Sequence, residues 1–108
     1  MARMLVIYKT PKDPVAFNRH YFDVHVPMAS RLPGLRRYEV SRGTVVPIGG
    51  ARDPCLIATL HFDSMQAIQA AFASDIGKQC AADRRLLAPN DDDVQLFLFE
   101  SSDVKSAA

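Results

Sequence analysis

The sequence predicts an α+β domain whose strands and helical segments follow one another in the order β-α-β-β-α-β. Three apolar runs and one stretch of alternating polar and apolar residues predict four strands, and two amphipathic segments with turn-forming residues stand among them. This order is typical of the ferredoxin-like arrangement, in which two helices cover one face of a four-stranded antiparallel sheet. We place a single domain over residues 1–100 and expect residues 101–108, which are polar, to form a flexible C-terminal tail.

The first half of the chain supplies a strand and an amphipathic helix. Residues 4–8 form an apolar run, and Asp13 with Pro14 provides the N-cap and the first-turn proline of a helix. Because a proline lacks the backbone N–H and clashes with the preceding turn, we expect Pro27 to break or kink this helix near His25. The apolar stripe of the helix, at spacings of four, three and four residues, consists of Phe17, Tyr21, Val24 and Met28.

The second half supplies three more strands and another helical region. Pro33-Gly34 ends the first helical segment, and a capping box formed by Asp63 and Gln66 opens the second. The predicted elements are a strand over residues 35–46, a loop over 47–54, a strand over 55–62, a helix to about residue 73, a second helical stretch over 74–88, a turn over 90–93 and a strand over 94–100.

The first, third and fourth strands carry apolar side chains on both of their faces. In the last strand Leu96 and Leu98 point one way, whereas Phe97 and Phe99 point the other. Two helices can cover only one face, and a sheet with one solvated face would alternate apolar and polar residues. We therefore expect a homodimer in which the uncovered sheet faces pack together.

Composition and charge exclude several classes of protein. The 108 residues carry a formal net charge of +1, which gives no electrostatic reason for binding nucleic acid or an anionic membrane. No apolar run approaches the ~20 residues that span a bilayer, and no signal peptide precedes the first strand, so we expect a cytoplasmic protein without membrane contact. Cys55 and Cys80 are far apart and are interpreted as structural residues, and we expect neither a metal site nor a cofactor.

His25 is the first candidate for a catalytic residue. It stands two residues before Pro27, where the helix is expected to lose its regularity, and its imidazole titrates near neutral pH. The alternative is a structural histidine whose ring nitrogen bonds the backbone freed by Pro27. Five residues earlier, His20 cannot share a metal with His25 as an i, i+4 pair can, and is interpreted as a surface or packing residue.

Tyrosines are the other candidates. Tyr38, on the second strand, and Tyr8, at the end of the first, can each place a phenol where it holds a carbonyl or stabilises an oxyanion. The predicted substrate contacts are Tyr8, Tyr21 and His61, each of which has packing within the core or interface as its alternative. Arg84 and Arg85 are interpreted as solvated surface.

Several short segments together resemble a known family. Tyr21-x-x-x-His25-x-Pro27 and Leu32-Pro33-Gly34-Leu35 are the most specific of them. The others are Tyr8-Lys9, Asp13-Pro14 with Phe17, Tyr38, Phe62-Asp63-Ser64 and Asp83. Between residues 4 and 100 the chain thus resembles the EthD family of dimeric α/β-barrel proteins, named after a protein associated with ethyl tert-butyl ether degradation.

The resemblance implies a function in the breakdown of organic compounds. Similar proteins include methylmuconolactone isomerases and small fungal dehydratases or decarboxylases of aromatic polyketides, which bind an apolar ring compound between helices and sheet without a cofactor. The leading hypothesis is a cofactor-independent isomerase, dehydratase or lyase acting on an apolar oxygenated small molecule, with His25 as acid or base and Tyr38 as the group that polarises a carbonyl. The alternatives are a non-catalytic dimeric binding or accessory protein of an ether-degradation pathway, a haem-handling protein, and a structural dimer without a ligand.

Overall fold

The computed structural model describes residues 1–50 and 53–105, and these residues form the predicted ferredoxin-like fold. Four strands make one antiparallel sheet with the spatial order β2-β3-β1-β4. The central pair runs along its whole length, with Ala2 opposite Phe62 and Tyr8 opposite Leu56. The strands are β1 (Ala2–Lys9), β2 (Arg37–Val40), β3 (Pro54–Phe62) and β4 (Val94–Glu100).

The helices follow the first and third strands, as predicted. The first one begins where Asp13 accepts a hydrogen bond from the backbone N–H of Ala16, at 3.1 Å. Ser74 ends one helix and caps the next, because its hydroxyl accepts a hydrogen bond from the N–H of Gly77 at 3.1 Å. The helical segments are α1 (Pro14–His20), a π-helical turn (Tyr21–His25), α2 (Val26–Ala29), α3 (Met65–Ala73), α4 (Asp75–Leu87) and a 3₁₀ turn (Asp91–Asp93).

The helix does not break at Pro27 as expected, but changes from α-helical to π-helical geometry just before it. The backbone stays in the right-handed helical region from Tyr21 to Val26, and the N–H of Val26 bonds the carbonyl of Tyr21, five residues earlier. Pro27 then lies in the first turn of α2, directly after the π-helical turn. Such single π-helical turns are frequent at functional sites, and this one carries His25.

The second strand is shorter than the predicted span of residues 35–46. Its pairing with β3 extends only as far as the hydrogen bond from the N–H of Ser41 to the carbonyl of Ile57, at 2.7 Å. Gly43 follows with a φ of +73°, a left-handed conformation that turns the chain out of the sheet. Residues 51 and 52 of the predicted loop and residues 106–108 of the predicted tail lie outside the described residues.

The cap of α3 is also different from the prediction. Ser64, not Asp63, is the N-cap, and its hydroxyl accepts a hydrogen bond from the N–H of Ala67 at 3.0 Å. Asp63 instead pairs with Arg36 at 2.8 Å. A serine one position later competes successfully because its side chain reaches the third helical N–H, while the aspartate is held by a cation outside the helix.

The helices cover one face of the sheet and leave the other open. On the covered face, Val6 and Tyr8 of β1 and Leu60 of β3 are buried beneath the helices. Leu5, Ile7 and their cross-strand neighbours occupy the open face. No helix within residues 1–50 and 53–105 is long and apolar enough to cross a membrane.

Candidate functional site

A cleft lies between the helices and the covered face of the sheet. Its volume is about 140 Å³, close to the ~150 Å³ of an apolar protein cavity that accepts benzene. It therefore has room for one small ring. Its walls are mostly apolar, and the lining residues are Met4, Val6, Tyr8, Tyr21, His25, Ala29, Leu32, Tyr38, Ala58, Leu60, Phe72, Cys80, Ala81, Arg84 and Leu96.

His25 enters this cleft from the π-helical turn. The side chain is buried, and its ring stacks on that of Tyr21, with centroids 5.2 Å apart. Its Nδ1 lies 2.9 Å from Oδ2 of Asp83. Since an ionised carboxylate only accepts hydrogen bonds, Nδ1 carries the proton and Nε2 keeps a lone pair. Burial lowers the pKa of His25 below its ordinary value of 6.5, against the opposing effect of Asp83, so the ring is neutral at pH 7.

Asp83, on α4, joins two histidines of the first helical segment. Besides His25 at Oδ2, it accepts a hydrogen bond at Oδ1 from Nε2 of His20, at 2.7 Å. The carboxylate is buried, whereas the side chain of His20 is 36% exposed. Both carboxylate oxygens are thus occupied, and the aspartate fixes the orientation and the tautomer of His25.

Sequence reasoning used Asp83 only as part of the family resemblance and did not predict its contact with His25. The partners are 58 residues apart, and their meeting depends on how α4 packs against the first helical segment. A signal was nevertheless present in the apolar stripe of α4. Ile76, Cys80, Asp83 and Leu87 recur at helical spacing, so an acidic residue occupies a core position, and buried carboxylates require partners.

Three tyrosines supply the hydroxyl groups of the cleft. The hydroxyls of Tyr21 and Tyr38 lie 2.6 Å apart, and either can donate to the other. The ring of Tyr8 packs edge-on against that of Tyr21, with centroids 5.7 Å apart. Burial raises the pKa of Tyr38 to about 12 and raises the pKa of Tyr8 and of Tyr21 further, so all three are protonated donors at neutral pH.

Four of the five sequence-predicted site residues therefore lie together. Tyr8 and Tyr38 come from the strands on either side of β3, and Tyr21 and His25 come from the helical segment above the sheet. One wall of the cleft thus presents aromatic hydroxyls, and the π-helical turn presents an imidazole.

His61, the fifth, lies on the opposite face of the sheet. Its Nε2 is 2.6 Å from Oε1 of Glu39 and 3.1 Å from a guanidinium nitrogen of Arg3. The register explains this placement, because Leu60 and Phe62 face the helices and His61 between them must face the other way.

Two residues interpreted as structural or solvated also line the cleft. Cys80 is buried there, and burial together with the nearby Asp83 raises the pKa of its thiol, so that it stays protonated. Arg84, on α4, is the cationic residue of the lining. Among the described residues, no three His, Cys, Asp or Glu side chains are grouped closely enough to hold a metal ion.

The sequence matches the family model for the EthD domain over residues 9–88. A curated protein of Rhodococcus erythropolis, described as an uncharacterized 11.0 kDa protein of the thcB–thcC intergenic region, is 34% identical over 83 residues. The matched segment covers 77% of this chain and 80% of that protein.

Solved structures share the fold. An EthD family protein of Bacillus halodurans superposes with a TM-score of 0.83 at 29% identity, covering 94% of this chain and 99% of the other. SnoaB of Streptomyces nogalater, a cofactor-independent oxygenase, has a TM-score of 0.66 at 17% identity, covering 95% and 94%. A dimeric ferredoxin-like protein of unknown function from Thermobifida fusca has a TM-score of 0.66 at 12% identity, covering 91% and 88%.

Proposed function

We propose that this chain, which belongs to the EthD family, is a cofactor-independent enzyme that moves a proton on an apolar oxygenated small molecule. The reaction class is isomerisation, dehydration or a related lyase step. The observation that carries this proposal is a neutral, oriented imidazole beside protonated phenols in a cleft with apolar walls.

His25 is the proposed acid–base group. Its Nδ1 proton is held by Asp83, which leaves the lone pair of Nε2 as the proton acceptor. Burial keeps the ring unprotonated at neutral pH, so the base is available. When Nε2 takes a proton, the Asp83 carboxylate stabilises the imidazolium that results, as a carboxylate does for a catalytic histidine in general.

Tyr38 is the proposed partner of the oxygen on which charge develops. Of the Tyr21–Tyr38 pair, one hydroxyl donates to the other, and the second hydroxyl proton is left for a ligand. A phenol that is itself held by a hydrogen bond is already oriented, which is what stabilisation of an oxyanion requires. Tyr8 and Tyr21 are proposed as substrate contacts, whereas His61 is not part of the proposed site, because it lies on the other face of the sheet.

The comparisons support the proposal at the level of the fold. SnoaB indicates that a fold of this kind can host chemistry without a cofactor, although at 17% identity it says nothing about the substrate here. The family membership supports a function in organic-compound catabolism, which is the finer part of the proposal.

Hydrogen–deuterium exchange tests the proposed proton transfer directly. The protein is incubated in D₂O with small aromatic lactones and aryl ketones, and NMR follows the loss of the C–H signal next to the carbonyl. We expect faster exchange than in buffer for at least one compound, and a loss of about 10²–10⁴-fold in His25→Gln. His61→Gln is the matched control and should keep the rate. Exchange that is equally fast in His25→Gln would contradict the assignment of the base.

A second candidate function is a non-catalytic binding or accessory protein of an ether-degradation pathway. The mostly apolar walls of the cleft favour it, since such walls hold a ring without taking part in a reaction. Binding of the same compounds, seen as shifts of cleft resonances without any exchange, would support this candidate over the enzyme.

We further propose that the protein is a homodimer through the open face of the sheet. Phe97 is 46% exposed and Phe99 is 40% exposed on this face, beside Leu5 and Ile7. An apolar sheet face of this kind is stabilised when a second copy covers it. A relative with the same fold is dimeric, which supports the proposal.

Light scattering after size-exclusion chromatography tests the dimer. We expect a dimeric mass for the wild type and a shift to the monomer in Phe97→Asp, because a charge in an apolar interface loses its hydration without gaining a partner. Leu86→Asp is the control, since Leu86 is 75% exposed on α4. A wild type that is monomeric throughout, or a Phe97→Asp variant that stays dimeric, would contradict this interface.

A further inference from the structure

Arg84 is the permanently charged residue among those that line the cleft. The other polar groups of its wall are phenols, a thiol and an imidazole that is neutral at pH 7. Asp83, the preceding residue, does not line the cleft, and both of its oxygens are taken by histidines. The wall therefore presents a positive charge without a facing negative one.

The guanidinium of Arg84 is incompletely bonded within the described part of the chain. One nitrogen, Nη1, donates to the carbonyl of Ala88 at 3.2 Å. No carboxylate of residues 1–50 or 53–105 lies within 4.0 Å of it, whereas Arg36 and Arg37 each have such a partner. A guanidinium group has five N–H donors, so most of its capacity is left for another acceptor.

A guanidinium group that an apolar wall partly removes from water is stabilised when an anion joins it. Arg84 is half-buried, and its positive charge reaches the functional groups of the cleft. It contributes to lowering the pKa of His25, after the larger effects of burial and of His20, and it opposes the rise in the pKa of Tyr8 that burial causes. The charge is thus felt where a ligand ring would sit.

We infer that the ligand of this cleft is a small ring compound with a carboxylate group, and that Arg84 binds the carboxylate. The inference rests on the proposed function in that it uses the same cleft, and it narrows the ligand class from oxygenated molecules to anions. The planar fork of a guanidinium matches the two oxygens of a carboxylate in a bidentate pair, which a lysine could not reproduce. The apolar wall then holds the ring, within a volume of about 140 Å³.

Benzoate and benzamide form a matched pair of probes. They share the ring and nearly the same shape, and they differ in charge at neutral pH. Titrations followed by ¹H–¹⁵N NMR should show that the wild type binds benzoate at least about tenfold more tightly than benzamide, which is the scale of a hydrogen bond to a charged group. Arg84→Met, which keeps an apolar stem, should bind the two probes about equally.

Two variants separate recognition from structure. Arg85→Met removes an exposed charge from the same helix and should keep the preference for benzoate. Arg84→Lys should keep only part of it, because the charge remains without the fork. The contact with Ala88 makes some loss of stability possible in Arg84→Met, but such a loss would weaken the binding of both probes alike.

The benzoate and benzamide titrations can overturn the carboxylate inference without overturning the proposed function. Equal binding of both probes by the wild type, or an unchanged preference in Arg84→Met, would overturn the carboxylate inference and leave the cleft as a site for neutral molecules. Failure of both probes to perturb the cleft resonances at millimolar concentration would count against the carboxylate inference and against binding of small ring compounds at this site.

Discussion

Two histidines on opposite faces of the same sheet are equally buried but differ in the chemistry left to them. His25 and His61 are each 8% exposed, and each lies within 3 Å of a carboxylate oxygen. His25 contacts Asp83 through Nδ1, and its Nε2 has no hydrogen-bond partner among the described residues. His61 contacts Glu39 through Nε2, and Arg3 approaches the same nitrogen.

The difference teaches that burial and a nearby carboxylate do not by themselves mark a working histidine. Nε2 of His61 cannot donate to Glu39 and accept from Arg3 at once. Because both charged groups approach this nitrogen, it is part of a network of charged side chains. The carboxylates differ as well, since the side chain of Asp83 is 8% exposed and that of Glu39 is 48% exposed. What distinguishes His25 is a buried partner on one nitrogen and a cavity beside the ring.

The largest difference that we predict between the two histidine–carboxylate pairs is in the stability of the protein. Asp83→Ala should lower the free energy of unfolding by about 2–3 kcal/mol, because it leaves the Nδ1–H of His25 buried without an acceptor. Glu39→Ala should cost less than about 1 kcal/mol, as expected for a partly exposed pair. Urea unfolding measures the free energy of unfolding of both variants. The protein concentration is kept the same throughout, because Glu39 lies on the proposed dimer face and the stability of a dimer depends on concentration. Similar losses in the two variants would mean that the pairs are energetically equivalent.

Much of the fold could be predicted because its signals are local. The apolar runs of β1, β3 and β4 are continuous, and the cap at Asp13 followed by Pro14 is read from adjacent residues. The end of β2 could not be read in this way, since it depends on where the backbone leaves β3. Pro27 indicated an irregularity correctly, but a proline does not reveal whether a helix breaks or widens by one residue.

The candidate site was only partly predictable, for a different reason. Tyr8, Tyr21, His25 and Tyr38 were named from their positions on elements, and all four reach the cleft. The role of Asp83 requires knowing which helices touch, because the pair forms across 58 residues of sequence. Arg84, the next residue, looks like ordinary surface in a sequence, because the direction of a long side chain at a helix edge depends on the packing around it.

A smaller predicted difference between His25 and His61 is in the pH dependence of protein stability. Its pKa in the folded protein lies below the ordinary value of 6.5, so the unfolded chain binds its proton first as the pH falls. Stability that is present above pH 6.5 is therefore lost on acidification, until the pH reaches the lower pKa of the folded state. His25→Gln should lack this part of the pH dependence, whereas His61→Gln should retain it.

NMR titration of the imidazole C–H resonances measures the underlying pKa directly. Asp83→Asn should lower the pKa of His25 further, since the carboxylate is the group that opposes the effect of burial. Glu39→Gln should leave it unchanged, because Glu39 lies on the other face of the sheet. A pKa of His25 at or above 6.5 in the wild type would mean that the ring is partly charged near neutral pH. The effect of the Asp83 carboxylate would then outweigh that of burial, and His25 would be suited to act as a general acid as well as a general base.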